Sequence, residues 1–208
     1  MTLTKICGLS TPDTLDAAVK GGATHIGLVF FPASPRHLTT DRAAQLAART
    51  PGHIVKVGVF VDPDDETLTR ALPHIDALQL HKVTPAKAAA IRQRAGRETW
   101  VAIAIKTRAD LDTAHRYAGA ADRLIYDAKT PPGAALPGGM GLRFDWSLLD
   151  GFRHPLPWGL SGGLDPANVA TAIAHTRAPL VDVSSGVESV PGVKDVDKIA
   201  AFLKASRV

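Results

Sequence analysis

One cysteine, Cys7, serves the whole sequence. A lone thiol excludes an intramolecular disulfide and a thiolate zinc cluster, and it agrees with a reducing compartment. Long apolar runs are missing too: none approaches the length that crosses a bilayer, and the first residues lack the basic and then apolar pattern of a secretory signal. A soluble, cytoplasmic protein with no membrane partner is therefore expected. Positive charge is in modest excess, net +4, but it is dispersed. Its densest cluster, Arg92, Arg94 and Arg97, falls on a predicted helix and reads as a solvated face rather than a stripe for nucleic acid. A small anionic ligand suits such a chain better. With 208 residues, 45% of them hydrophobic, one substantial core can form, and a single domain over residues 1–208 is expected.

Repetition is what the chain has in plenty. An apolar, β-branched run followed by a polar turn and an Ala-rich helical pattern recurs eight times. The predicted strands are Leu3–Cys7, Thr24–Phe30, His53–Phe60, Ile75–His81, Thr99–Ile105, Arg123–Asp127, Trp158–Ser161 and Leu180–Ser184. Helices are predicted near Thr11–Lys20, Thr40–Arg49, Asp64–Leu72, Pro85–Arg94, Ala109–Tyr117, Asp145–Leu149, Pro166–His175 and Val193–Lys204. Thr11-Pro12-Asp13, Asp65-Glu66 and Asp165-Pro166 supply helix start signals. Near-continuous apolar strands fit a parallel sheet covered on both faces. Eight such units in a chain of this length favour a closed α/β barrel, the (β/α)8 TIM barrel, over an open doubly wound sheet. In that barrel, functional groups come from the carboxyl ends of strands and the loops after them.

Several residues stand at those ends. Lys5 and Cys7 share one face of the first strand, Ile6 takes the other, and Gly8 breaks the strand just past the sulfur. Cys7 taken alone reads first as a small buried hydrophobe, and the rest of the chain turns that reading toward a functional thiol. Arg36 follows the proline-stiffened Phe31-Pro32-Ala33-Ser34-Pro35 and reads either as a fork for a carboxylate or phosphate or as an ordinary surface arginine. Gln79 and His81 share one face of the fourth strand and point into the barrel, either toward a ligand or as satisfied core groups. Asp127 ends an apolar run, where burial would raise its pKa toward values useful for proton donation, although it also suits a turn cap. The stretch Lys129–Arg143, with three prolines and four glycines, is long for a structural connection. Ser161-Gly162-Gly163 and Ser184-Ser185-Gly186 follow strands seven and eight, where barrels commonly bind phosphate on backbone N–H groups.

Read together, Lys5-Ile6-Cys7-Gly8, Ser34-Pro35-Arg36, Val57-Gly58-Val59-Phe60-Val61, Gln79-Leu80-His81, Asp127-Ala128-Lys129, Gly138-Gly139-Met140-Gly141, Gly162-Gly163-Leu164 and Val181-Asp182-Val183-Ser184-Ser185-Gly186-Val187-Glu188 resemble the successive motifs of the phosphoribosylanthranilate isomerase family of tryptophan biosynthesis. The resemblance implies a barrel without cofactor or metal. It implies an Amadori rearrangement of N-(5-phosphoribosyl)anthranilate to 1-(2-carboxyphenylamino)-1-deoxyribulose 5-phosphate. By motif, Cys7 resembles the general base, Asp127 the general acid and Arg36 the group that meets the anthranilate carboxylate. Gln79, His81 and Asp182 join Arg36 as candidate substrate-binding residues. Gly139, Gly141, Gly162, Gly163, Ser184, Ser185 and Gly186 are the candidate phosphate site. Lys82 stands where the family usually has glycine, and Met140 where it often has a small hydroxyl residue. A monomer or a homodimer is compatible with all of this.

The chemistry asks for an acid to open the furanose ring and a base to take the adjacent sugar hydrogen. A thiol of pKa about 8.5 needs a modest downward shift for the second task, and Lys5 or loop N–H groups are expected to supply it. Lys5 alternatively pairs with Asp182 across the eighth strand, which is the preferred reading. Three rivals differ in class. The aminoaldose isomerase of histidine synthesis would place a carboxylate where this chain has Cys7, and indole-glycerol-phosphate synthase would be longer, with lysine and glutamate at strand ends. A non-catalytic phosphate-binding barrel would not require Cys7, Asp127 and Arg36 together.

Overall fold

Eight parallel strands close on themselves in chain order in a computed structural model that describes residues 2–131, 133, 134 and 136–208. They are β1 (Leu3–Cys7), β2 (His25–Val29), β3 (Val55–Val61), β4 (Ala77–His81), β5 (Glu98–Ile105), β6 (Arg123–Ala128), β7 (Trp158–Leu160) and β8 (Leu180–Val183). Closure is made by β1 against β8, with Lys5 opposite Asp182. Around the barrel run α1 (Pro12–Lys20), α2 (Thr40–Arg49), α3 (Asp65–Ala71), α4 (Pro85–Ala95), α5 (Arg108–Asp112), α6 (Val169–Thr176) and α7 (Val196–Ala205). No helix among the described residues is long and apolar enough to cross a membrane.

Local chemistry explains where the helices start. Thr11, Thr39, Asp64, Thr84, Thr107 and Asp195 each accept a backbone N–H of the first turn, and Pro12 and Pro85 fill positions whose N–H would have no helical partner. Asp165, by contrast, binds the N–H groups of Ala167 and Asn168 in a turn, and α6 begins only at Val169, three residues after the predicted start.

Two further predicted helices are corrected. Asp145 caps only a 3₁₀ turn, Trp146–Leu149, which Asp150 and the left-handed Gly151 end at once. Seven α-helices are therefore present among the described residues, where eight were predicted. The helix predicted from Val193 instead begins with a hairpin, β9 (Glu188–Val190) and β10 (Val193–Lys194), and α7 starts after Asp195. Pro191-Gly192 makes the turn, which the helical periodicity of the following residues hides. In Ala109–Tyr117 the helix tightens into a 3₁₀ segment at Thr113, whose hydroxyl donates back to the Asp110 carbonyl at 2.6 Å.

Two-residue periodicity separates the two cores. Ile6, Ile26, Leu28, Phe60, Leu78, Leu80, Leu124 and Val181 face the helices. Val57, Ala77, Trp100, Ile125 and Leu180 face inward and fill the barrel floor. Two residues further along the same strands stand Val59, Gln79, Asp127 and Asp182, so the polar groups sit one layer above an apolar plug. That plug keeps water from reaching them from below. Lys82, just past β4, adopts the left-handed conformation with φ 56°, the shape that glycine takes without strain.

Candidate active site

Cys7 ends β1 with its side chain in the barrel mouth, packed with Val29 and Val59. Room for the sulfur comes from β2, where a Cβ on Gly27 would lie 2.7 Å from Cys7 Sγ. Gly8 then turns the chain at φ 79°, and its missing side chain lets the stem of Arg36 cross over β1. Cys7, Arg36, Gln79, His81, Asp127, Gly139, Gly141, Gly162, Gly163, Asp182, Ser184 and Ser185 all line one cavity at the carboxyl ends of the strands. Gly186 does not line it; that residue packs against the Leu164 backbone. Within the long stretch after β6, Pro132 and Ala135 lie outside the described residues.

Below the thiol, Lys5 Nζ donates to both Asp182 carboxylate oxygens, at 3.0 and 2.9 Å, in a fully buried pair. Lys5 is therefore the lumen partner of Asp182. The expected downward shift of Cys7 is corrected: burial pushes its pKa up, and the opposing pull of Lys5 does not cancel this. In the resting site the sulfur is a thiol.

Asp127 behaves as its strand-end position suggested. Burial, reinforced by the neighbouring Asp182 carboxylate, pushes it up to about 7. Its Oδ1 accepts the Ala128 N–H at 2.8 Å, and Gly138 and Gly162 crowd its carboxyl so closely that neither position has space for a Cβ. His81 is held down at about 4 by burial, then by the charges of Lys5 and Lys82, and is neutral at pH 7. Its Nε2 lies 3.2 Å from Gln79 Nε2, while Gln79 Oε1 is buried with no hydrogen-bond partner among the described residues. A buried acceptor left without a partner in a cavity wall costs free energy that a donor entering the cavity would recover.

Arg36 is more committed than its sequence suggested. Nε donates to Glu188 Oε1 and Nη2 to Glu188 Oε2, both at 2.7 Å, and Nη2 also donates to the Gly139 carbonyl at 3.0 Å. A bidentate grip on an incoming carboxylate through Nε and Nη2 is thus not available; among the described residues the uncommitted nitrogen is Nη1. Glu188 and its second partner, Lys194, were missed in the sequence. Glu188 stood at the end of the Val181–Glu188 motif with no role assigned to it, and the Pro191-Gly192 turn that folds Lys194 back toward it was the other signal.

In the same cavity as Arg36, the N–H groups of Gly162, Gly163, Ser184 and Ser185 have no hydrogen-bond acceptor among the described residues. They edge the cavity after β7 and β8 and form a cradle of donors suited to an anion.

Fold and cavity together define a class: a (β/α)8-barrel with a carboxyl poised near neutrality, a thiol and a set of uncommitted backbone N–H groups gathered at one mouth. Residues 4–205 match the family model described as N-(5'-phosphoribosyl)anthranilate (PRA) isomerase, and the chain belongs to that family. An N-(5'-phosphoribosyl)anthranilate isomerase of Paramagnetospirillum magneticum is 53% identical over 206 residues, 98% of this chain and 96% of the relative. The solved phosphoribosyl anthranilate isomerase of Thermotoga maritima is 33% identical with a TM-score of 0.88, covering 100% of this chain and 99% of its own. A second solved isomerase, in complex with reduced 1-(o-carboxyphenylamino)-1-deoxyribulose 5-phosphate, is 31% identical with a TM-score of 0.86 over 100% and 99% of the two chains.

Proposed function

We propose that this chain isomerises N-(5-phosphoribosyl)anthranilate to 1-(2-carboxyphenylamino)-1-deoxyribulose 5-phosphate, the third step of tryptophan synthesis from chorismate, with Asp127 as acid and Cys7 as base. The observation that carries the reading is Asp127, raised to about 7 by burial and facing the same cavity as the thiol. As a carboxylic acid, Asp127 gives its proton to the furanose ring oxygen. The C1–O bond breaks, and the nitrogen lone pair forms the iminium. Cys7, as thiolate, takes the hydrogen from C2, and the bonding pair becomes the C1=C2 bond of an enolamine. The enol hydroxyl then loses its proton, C1 takes one up, and the ketone results. Burial makes the thiol a stronger base once ionised, and the cationic iminium favours the thiolate at the moment it is needed. Gln79 Oε1 and neutral His81 are suited to the sugar hydroxyls. A phosphorylated sugar does not cross a bilayer unaided, so the workplace assigned is the cytoplasm. Loss of phosphoribosylanthranilate fluorescence on adding purified protein is the expected result, and no turnover would remove the reading.

The phosphate end is assigned to the N–H groups of Gly162, Gly163, Ser184 and Ser185, with Gly139 and Gly141 closing over it. Inorganic phosphate is expected to inhibit competitively and to occupy that cradle in a crystal soak. An anion found elsewhere in the mouth, with the cradle empty, would count against the placement.

At the other end, Nη1 of Arg36 is assigned to the anthranilate carboxylate. A charge-assisted hydrogen bond of roughly 1.5–3 kcal/mol makes Arg36→Ala raise KM about ten- to a hundredfold. The change in kcat is expected to be smaller, because the carboxylate is held alike in ground and transition states. Because Glu188 loses its main partner, the same variant is expected to unfold more easily. Weakening of inorganic phosphate inhibition to the same extent as KM would move Arg36 to the phosphate site.

A further inference from the structure

We propose that Glu188 and Lys194 are positioning residues that aim Arg36 at the substrate carboxylate and tie it to the phosphate cradle. The inference rests on the reading of Arg36 just given and concerns residues that touch no substrate.

Counting donors and acceptors carries it. A carboxylate has about four lone-pair sites, and those of Glu188 are taken by Arg36 Nε, Arg36 Nη2, Lys194 Nζ at 2.6 Å and the Gly192 N–H at 3.2 Å. The three hydrogens of Lys194 go to Glu188 Oε1, to the Ser184 carbonyl at 3.0 Å and to Ser184 Oγ at 3.2 Å. Arg36 has five N–H bonds: Nε and one of Nη2 go to Glu188, and the other of Nη2 to the Gly139 carbonyl. What remains uncommitted among the described residues is Nη1. Arg36, Glu188 and Lys194 are all buried, so the network presents its spare donors along one edge, at the cavity wall. The uncommitted Nη1 N–H groups carry part of the delocalised guanidinium charge, which is what meets a carboxylate.

The hairpin of β9 and β10 exists in the right place to do this. Its turn leans on the arginine loop, where a Cβ on Gly192 would lie 2.7 Å from the Pro35 carbonyl oxygen. Through Lys194 it also holds Ser184, one wall of the phosphate cradle. The spacing between the two ends of the substrate site is thereby set by one connected set of charges. Removing the Glu188 charge releases Nε and Nη2 and lets the guanidinium turn.

The test is a double-variant cycle read by calorimetric binding of 1-(2-carboxyphenylamino)-1-deoxyribulose 5-phosphate, which needs no turnover, with KM and kcat beside it. Glu188→Gln is expected to weaken product binding and raise KM about tenfold, with kcat within about threefold and inorganic phosphate inhibition within about twofold. In an Arg36→Ala background the same change is expected to add nothing. Glu188→Asp, which keeps the charge but cannot reach both partners, is expected to show a smaller rise that also vanishes without Arg36, and it serves if the glutamine variant does not fold. Lys194→Met is expected to weaken phosphate inhibition several-fold through Ser184. Unchanged product binding in a folded Glu188 variant, or losses that multiply with that of Arg36→Ala, would overturn the inference. Turnover by the unmodified protein reports separately on the proposed function.

Discussion

Asp127→Asn is expected to lower kcat at least about 10²-fold and, at pH 8, to make the protein more stable. Loss of catalysis follows because an amide cannot protonate the ring oxygen. The gain in stability follows from the sign of the pKa shift. Asp127 titrates at about 7 in the folded chain against an ordinary 3.8, so the native state binds a proton that the unfolded chain has released. Its contribution to stability is full below 3.8, declines as pH rises through the interval and is gone above 7, where the folded protein carries a buried anion. About three units correspond to at most about 4 kcal/mol of stability forgone at pH 8. Asparagine keeps the shape and an acceptor for the Ala128 N–H without the charge. Urea unfolding at pH 8 and at pH 4 should show the variant ahead at the higher pH only, beside a matching kinetic loss. Cys7→Ala should lose a similar factor in kcat with no such pH-dependent gain. Near-normal turnover by either variant removes that residue from the chemistry.

The largest expected loss of stability comes from Lys5→Met. Lys5 is fully buried and Asp182 is 4% exposed, and each is the other's partner through two hydrogen bonds. Removing the cation leaves a buried carboxylate under the barrel mouth without its only ion-pair partner among the described residues, which costs about 3–5 kcal/mol. Pairing the change with Asp182→Asn should recover most of that loss, since the stranded charge is then gone. A loss below about 1 kcal/mol in denaturant unfolding of the single variant would show that the pair is not a closed unit. Lys5 also pulls against the burial of Cys7, so its removal should drive the thiol's pKa still higher and slow the chemistry.

How much of this was legible in the sequence depended on distance along the chain. β1 could be read to the residue, because Leu3–Cys7 alternates Lys5 and Cys7 against Ile6 and meets Gly8. The closed barrel followed from eight such runs with helical patterns between them. Asp145–Leu149 was misread because capping and composition there are helical, while the end of the segment is set by Asp150-Gly151 and the prolines beyond. The hairpin was hidden by the strong helix after it. Least legible was the charge network: Arg36 and Glu188 are 152 residues apart, and neither carries a local sign of the other. A sequence shows that Arg36 follows a stiff loop. It does not show that two of the three nitrogens are already engaged. The direction of the Cys7 shift was likewise out of reach, since it is decided by burial against the cations Lys5 and Lys194, with Asp182 on the side of burial.

The most direct test of the Asp127 and Cys7 pair is the pH dependence of kcat/KM for the unmodified protein and Asp127→Asn, measured side by side from about pH 5 to about pH 10. On the proposed mechanism the productive free enzyme needs Asp127 protonated and Cys7 ionised, although Asp127 loses its proton first, near 7, and the thiol is raised above its ordinary 9.0. Below 7 the rate should climb with the growing trace of thiolate. Between the two pKa values loss of acid cancels gain of thiolate and gives a plateau, and above the thiol's pKa the rate should fall. In Asp127→Asn there is no acid to lose, so the small residual rate should rise with no bend near 7 and level off only as the thiol ionises. A variant that keeps the bend near 7, or matches the unmodified protein in rate, would contradict the assignment.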